Sequence, residues 1–177
     1  SSICANTLGV AVIFYDPDYN HAFLRTRSPN QASIIQRRLH CSASGVFELP
    51  PEFANGSTTD FSLFERAMHL EIRNEMHLSA DEYDLYPIAF ARELPRGGKP
   101  QLFFAARSKL SIDQLLERSR TAPEALEFLD DQQDGVDPEN ALGADNLLTY
   151  EAHAALHFAE KFLEANGFRK KQHTSFS

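Results

Sequence analysis

The stretch Leu70-Glu71-Ile72-Arg73-Asn74-Glu75-Met76-His77-Leu78 carries the pattern that decides the fold of this chain. Apolar residues recur upstream of it and within it at intervals of three and four, namely Phe61, Phe64, Met68, Ile72 and Met76. This period predicts an amphipathic helix from Phe61 to Leu78, with Asp60 as its N-cap. Glu71 and Glu75 are four residues apart, so their carboxylates project from the same face of that helix.

These two carboxylates predict a metal site. Side by side they repel each other unless a cation or a proton joins them. Asn74 adds a neighbouring hard oxygen ligand. Mg²⁺ prefers a few carboxylates together with water and phosphate oxygens, and in that setting it can polarise a phosphorus centre and activate a water. Glu71, Asn74 and Glu75 are therefore candidate ligands of Mg²⁺ or Mn²⁺.

A plainer interpretation of the same helix stays open. Pairs of glutamates four residues apart are common on solvated helix faces, where they contribute little to stability. Arg66 and Arg73 lie close enough along the helix to pair with Glu71 or Glu75.

The remaining elements indicate mixed α/β layers. The run Leu8 to Tyr15 is β-branched and aromatic, which predicts a buried strand, and His21 to Arg27 predicts the returning strand of a hairpin. Further strands are predicted at 86–92 and 101–107, and further helices at 111–117, with Ser111 as cap, and at 149–166.

Size and composition narrow the class of protein. With 177 residues the chain fits one domain, which we place at 1–168, followed by a loose tail at 169–177. A net charge of −8 argues against nucleic acid as a partner. No apolar run is long enough to predict a membrane span. Cys4 and Cys41 form neither a metal spacing nor a disulfide framework, which favours a cytoplasmic setting; a homodimer is left open.

The helix resembles the signature of the Nudix family: Gly, five residues, Glu, seven residues, then Arg-Glu-apolar-x-Glu-Glu-x-Gly-apolar. Four positions match, namely Glu71, Ile72, Glu75 and Leu78. Four positions depart from the signature: Leu70 replaces Arg, Asn74 replaces the first Glu of the pair, His77 replaces Gly, and Ser62 replaces the upstream Glu.

The resemblance extends over roughly residues 8 to 165. Leu24 to Ser28 is similar to the end of the family's second strand, and Ala91 to Phe104 is similar to the hairpin after the box. Either Gly45 or Gly56 could correspond to the glycine of the signature. We prefer Gly45, because it lies in a predicted glycine turn directly after a strand-like segment. This alignment implies an insertion between Gly45 and the helix. A divergent branch that splits UDP-glucose has a comparable insertion.

The resemblance implies an α/β/α sandwich of the Nudix type with a mixed β-sheet. It implies that Glu71 and Glu75 hold the metal and act in catalysis, and that Gly45 borders the substrate. Glu93 is a further candidate catalytic carboxylate. The alternative is that Glu93 is a surface acid that pairs with Arg92 or Arg96. Arg25 and Arg27 would steer phosphates, because guanidinium groups suit bidentate contact with oxyanions.

Two functional hypotheses follow, and a third interpretation is that the domain is an unrelated α/β fold. The first is an Mg²⁺- or Mn²⁺-dependent hydrolase of a nucleoside diphosphate derivative, for which a UDP-sugar is a candidate. The second is a catalytically inactive module that binds a nucleotide or a protein. Convergence of Glu71, Glu75 and Glu93 on one cleft favours the enzyme. Pairing of Glu71 and Glu75 with Arg66 or Arg73 favours the inactive module.

Overall fold

The computed structural model describes residues 7–26, 38–47, 60–94, 97–128, 135–145 and 147–169. Residues 27–37 and 48–59, which include Arg27 and Gly56, lie outside these ranges, as do Arg96 and most of the C-terminal tail.

The sheet is mixed, as predicted. Its strands are β1 (Leu8–Tyr15), β2 (Ala22–Phe23), β5 (Ala43–Phe47), β6 (Tyr83–Glu93) and β7 (Lys99–Ser108), while β3 (Arg25–Thr26) and β4 (Leu39–His40) form a separate pair. The order is β2-β1-β7-β6, and β5 also pairs with β1. β1 and β7 are parallel, and the other pairings are antiparallel. The predicted hairpin is confirmed by the antiparallel pairing of β1 with β2.

β1 lies at the centre and is buried on both faces, which explains why it is apolar without alternation. Val10, Val12 and Phe14 belong to one core cluster, and Ala11 and Ile13 belong to the cluster on the opposite face. Each face of the sheet therefore needs its own covering layer of helices.

Helices supply both layers. They are α1 (Ser62–Met76), α2 (Ile112–Arg120), α3 (Pro138–Gly143) and α4 (Tyr150–Ala165). α1 and α2 contribute to the cluster around Val10, whereas α3 and α4 contribute to the cluster around Ala11. The predicted α/β/α sandwich is thus confirmed, and the hairpin and the signature helix pack as layers of it. None of the described helices has the length and apolarity that a membrane span requires.

The ends of α1 differ from the prediction. Phe61 is the N-cap residue, and Asp60 lies one position further out, where its Oδ1 accepts a 3.3 Å hydrogen bond from the Ser62 amide. At the other end His77 has a φ of 56°, and its amide donates to the Arg73 carbonyl. This left-handed cap favours glycine, the residue that the Nudix signature has there. His77 keeps the backbone shape, and its ring is hydrogen-bonded to the Thr121 hydroxyl at 2.9 Å.

Candidate metal centre

Three glutamates converge where the C-terminal half of α1 meets β5. Glu71, Glu75 and Glu124 each offer a carboxylate oxygen, and these oxygens all lie within 4.8 Å of one another. Two of them come from successive turns of α1, and the third comes from the segment after α2. The predicted pair of helix carboxylates therefore gains a partner from a distant part of the chain.

Glu75 is the most enclosed of the three, with only 2% of its surface exposed. The Ser44 amide donates a hydrogen bond of 3.1 Å to its Oε2. A charged carboxylate at this depth is costly unless hydrogen bonds or cations compensate for lost hydration. The amide of β5 supplies part of that compensation and fixes where the carboxylate lies.

Glu71 lies directly over Gly45. A Cβ built on Gly45 would be 2.1 Å from Glu71 Oε1, so this position has no room for a side chain. Gly45 is paired with Val10 inside β5, which corrects the expectation that it forms a turn. Because glycine has no side chain, the Glu71 carboxylate can lie close to the backbone of β5 at this position.

Glu124 is tied to α1 through the main chain. Its amide donates a 3.0 Å hydrogen bond to the carbonyl oxygen of Asn74. This contact brings the segment after α2 against the end of α1, beside Glu71 and Glu75. The observed contact of Asn74 is thus through its backbone, and metal ligation by its side-chain oxygen stays a prediction.

The electrostatics of the cluster favour a divalent cation. Two carboxylates at this separation repel by about 3 kcal/mol at an effective dielectric constant near 20. Carboxylates this close together are stabilised when a nearby cation offsets part of their charge. Carboxylate oxygens on several elements are the ligand type that Mg²⁺ and Mn²⁺ accept, so the donor set fits such an ion.

Comparison with solved structures identifies the architecture. A Nudix hydrolase from Nitrosomonas europaea superimposes with a TM-score of 0.51 at 13% identity, covering 88% of this chain and 89% of that one. The chain has the Nudix fold. The dihydroneopterin triphosphate pyrophosphohydrolase of E. coli gives a TM-score of 0.51 at 12% identity over 85% and 92% of the two chains. A Deinococcus radiodurans protein gives 0.54 at 16% identity over 85% and 81%.

These identities are low, so the likeness concerns the fold. No protein-family model and no curated protein matches the sequence. The case for a site on α1, the helix that carries the Nudix-like signature and is called the Nudix helix, therefore rests on its own residues.

Arg25 does not occupy an open phosphate-binding position. Its guanidinium donates to the Glu75 carbonyl oxygen at 2.6 Å and lies 3.4 Å from the centre of the Phe128 ring, and the residue is only 5% exposed. A charge-assisted hydrogen bond and a cation–π contact hold the Arg25 side chain in place. We therefore interpret Arg25 as a structural residue that stabilises the C-terminal end of α1.

Glu93 is not brought to the cluster. Gly45, Val10, Leu102 and Phe90 lie in register across β5, β1, β7 and β6, so Phe90 is three strands from Gly45, the residue beneath Glu71. Three strand spacings amount to about 14 Å, and Glu93 lies a further ~10 Å along β6. The expectation that Glu93 enters the site was wrong, because the family-like hairpin runs along the far edge of the sheet.

A groove with a volume of about 820 Å³ borders the cluster, and Glu71 lines both. Its walls carry Arg66 and Arg73 from α1, together with apolar side chains that include Val46 and Leu70. Across the described ranges neither arginine forms an ion pair. Pairing of these arginines with Glu71 or Glu75, the arrangement that would favour an inactive module, is absent from this part of the molecule.

Proposed function

We propose that this protein is a divalent-metal-dependent hydrolase that cleaves the pyrophosphate bond of a nucleoside diphosphate derivative. The observation that carries the proposal is the convergence of Glu71, Glu75 and Glu124 from two elements of a Nudix fold. The third carboxylate belongs to a residue 49 positions beyond Glu75, so the helical spacing of Glu71 and Glu75 does not account for its presence.

In this proposal the three glutamates hold Mg²⁺ or Mn²⁺, with Asn74 as a further candidate ligand. When bound, such an ion neutralises charge on the phosphate oxygens and lowers the pKa of a water. A carboxylate of the cluster accepts the proton that the attacking water loses. The water oxygen forms a bond to phosphorus, the bond from that phosphorus to the bridging oxygen breaks, and two phosphate products leave.

The groove beside Glu71 suits the rest of the substrate. A volume near 820 Å³ is within the range of small-molecule sites. Arg66 and Arg73 offer charge to phosphate oxygens, and the half-exposed Val46 and Leu70 offer apolar surface to a base or sugar ring. In an acidic chain, two arginines that form no ion pair with any described acid, beside a carboxylate cluster, support an anionic ligand.

The proposal is tested with a substrate panel. Nucleotide sugars, dinucleoside polyphosphates and nucleoside triphosphates are incubated with Mg²⁺, with Mn²⁺, or with a chelator, and released phosphate or nucleoside monophosphate is measured. We expect turnover of at least one class with metal and none with chelator. Nucleotide binding without turnover across the panel would overturn the hydrolase and leave the inactive binding module as the better account.

Arg66→Ala and Arg73→Ala should each raise KM for the active substrate about tenfold with little change in kcat. The reason is that a charge-assisted hydrogen bond to phosphate, worth roughly 1.5 kcal/mol, is lost equally in the ground state and the transition state. Arg118→Ala is the charge-matched control, since Arg118 pairs with Glu82 at 2.8 Å. An equal rise in KM for the control would show that only net charge matters and would contradict the groove assignment.

A further inference from the structure

A buried polar network lies on the α4 face of the sheet, opposite the Nudix helix. Four of its residues are more than nine-tenths buried: His40, Ser44, Gln101 and Glu151. They lie beside an otherwise apolar cluster formed by the central strands and α4. Such a group of polar side chains stabilises a core less than well-packed apolar residues of the same volume would.

Its hydrogen bonds run from the start of α4 to β5. His40 Nδ1 is 2.8 Å from the Thr149 hydroxyl, which also caps α4. His40 Nε2 is 3.1 Å from the Ser44 hydroxyl and 3.8 Å from Glu151 Oε2. The amide of Gln101 donates to the other oxygen of Glu151 at 2.6 Å. The imidazole is thereby held between α4 and β5.

A glycine leaves the space that the network needs. A Cβ on Gly9 would lie 1.8 Å from Gln101 Oε1. Gln101 is buried and its amide is bonded to Glu151, so it has little room to move away. The fold thus accommodates the buried side-chain amide of Gln101 at a position where a small apolar residue would pack equally well.

The network ends at the metal centre. Ser44 is bonded to His40 through its hydroxyl and to Glu75 through its amide, which donates to Glu75 Oε2 at 3.1 Å. The hydroxyl bond leads toward the α4 side of the sheet, and the amide bond leads to a residue of α1, the helix that covers the other side. In addition to the pairing of β5 with β1, the hydroxyl bond to His40 thus restrains the residue whose amide contacts the Glu75 carboxylate.

We infer that His40 and Ser44 are positioning residues that hold Glu75 in its metal-binding orientation from the opposite face of the sheet. The inference rests on the proposed function, because it assigns a role relative to the metal at Glu75. Groups behind a metal ligand fix its orientation, and their loss commonly lowers metal affinity by about 10- to 100-fold.

The test measures Mn²⁺ affinity from the electron paramagnetic resonance signal of free Mn²⁺, with no substrate present. Ser44→Ala removes only the hydroxyl and keeps the amide that contacts Glu75. His40→Gln removes the imidazole. We expect each variant to raise the Mn²⁺ Kd about tenfold. We expect the double variant to do the same rather than to multiply the two effects, since both changes break one link.

Tyr15→Phe is the matched control. Tyr15 also bridges the sheet to α4, donating a buried 2.9 Å hydrogen bond to Glu160. Burial, reinforced by the Glu160 carboxylate, raises the pKa of the Tyr15 hydroxyl well above its ordinary value, so it stays protonated and donates. This variant should lower the melting temperature and leave the Mn²⁺ Kd unchanged.

The outcomes separate the two proposals. If wild type and Glu75→Gln bind Mn²⁺ equally weakly, the metal site fails and the inference fails with it. If wild type binds Mn²⁺, Glu75→Gln does not, and Ser44→Ala and His40→Gln bind like wild type, the network is only structural and the inference alone is overturned. A rise in Kd for Tyr15→Phe equal to that for Ser44→Ala would overturn it as well.

Discussion

Glu75→Gln and Glu124→Gln should each lower metal-dependent turnover about a thousandfold. Each substitution keeps the size of the side chain and removes one of the negative charges that gather within 4.8 Å. A bound divalent ion contributes several kcal/mol of transition-state stabilisation, and a loss of about 4 kcal/mol corresponds to roughly a thousandfold in rate. Initial rates at saturating substrate and at several Mg²⁺ concentrations measure the effect.

Glu93→Gln is the control for this pair of variants. It makes the same chemical change on β6, three strands away from the cluster, and should leave the rate within about twofold of wild type, as surface substitutions away from a site usually do. A rate for Glu124→Gln close to wild type, together with a large loss for Glu93→Gln, would show that the catalytic carboxylate is on the hairpin and would refute the cluster.

Gly45→Ala should raise the Mn²⁺ Kd between about 10- and 100-fold while the protein still folds. The new methyl group would take the place of Glu71 Oε1, 2.1 Å away. The carboxylate is the free end of a flexible side chain, so it moves and the strand does not. Gly45 has no positive φ, and alanine therefore introduces no backbone strain there. Titration of Mn²⁺ together with a thermal melt separates the two effects.

Gly143→Ala is the matched control for this substitution. Gly143 ends α3, and a Cβ built there meets no atom within 4 Å. Its Mn²⁺ affinity should equal that of wild type. If Gly45→Ala also bound Mn²⁺ like wild type, Glu71 would not need its place above Gly45 and would not be a ligand.

Local patterns in the sequence predicted the layers of the fold well. The apolar run of β1 and the three- and four-residue period of α1 reflect burial directly, so both elements lie where they were expected, apart from shorter ends of α1. Ser111 caps α2 as predicted, accepting a hydrogen bond from the Gln114 amide. The pairing of Glu71 with Glu75 follows from the helical period alone.

Contacts between distant segments could not be predicted in the same way. Glu124 stands in an acidic stretch, and only its backbone bond to Asn74 distinguishes it from neighbouring acids. Arg25 was predicted to bind phosphate because the sequence alone does not show that tertiary packing buries this residue against the end of α1. Glu93 was predicted to be catalytic because the sequence does not give the order of the strands, which places β6 at the sheet edge away from β5. The single domain over 1–168, the cytoplasmic location and a homodimer stay predictions.

The central claim is that Glu71, Glu75 and Glu124 together hold a divalent cation. Anomalous diffraction from crystals soaked in Mn²⁺ tests it most directly. We predict one strong peak with a carboxylate oxygen of each glutamate at roughly 2.1 Å, the distance typical of a small hard cation. No peak among these three side chains at saturating Mn²⁺, or a peak bound by other residues instead, would contradict the account.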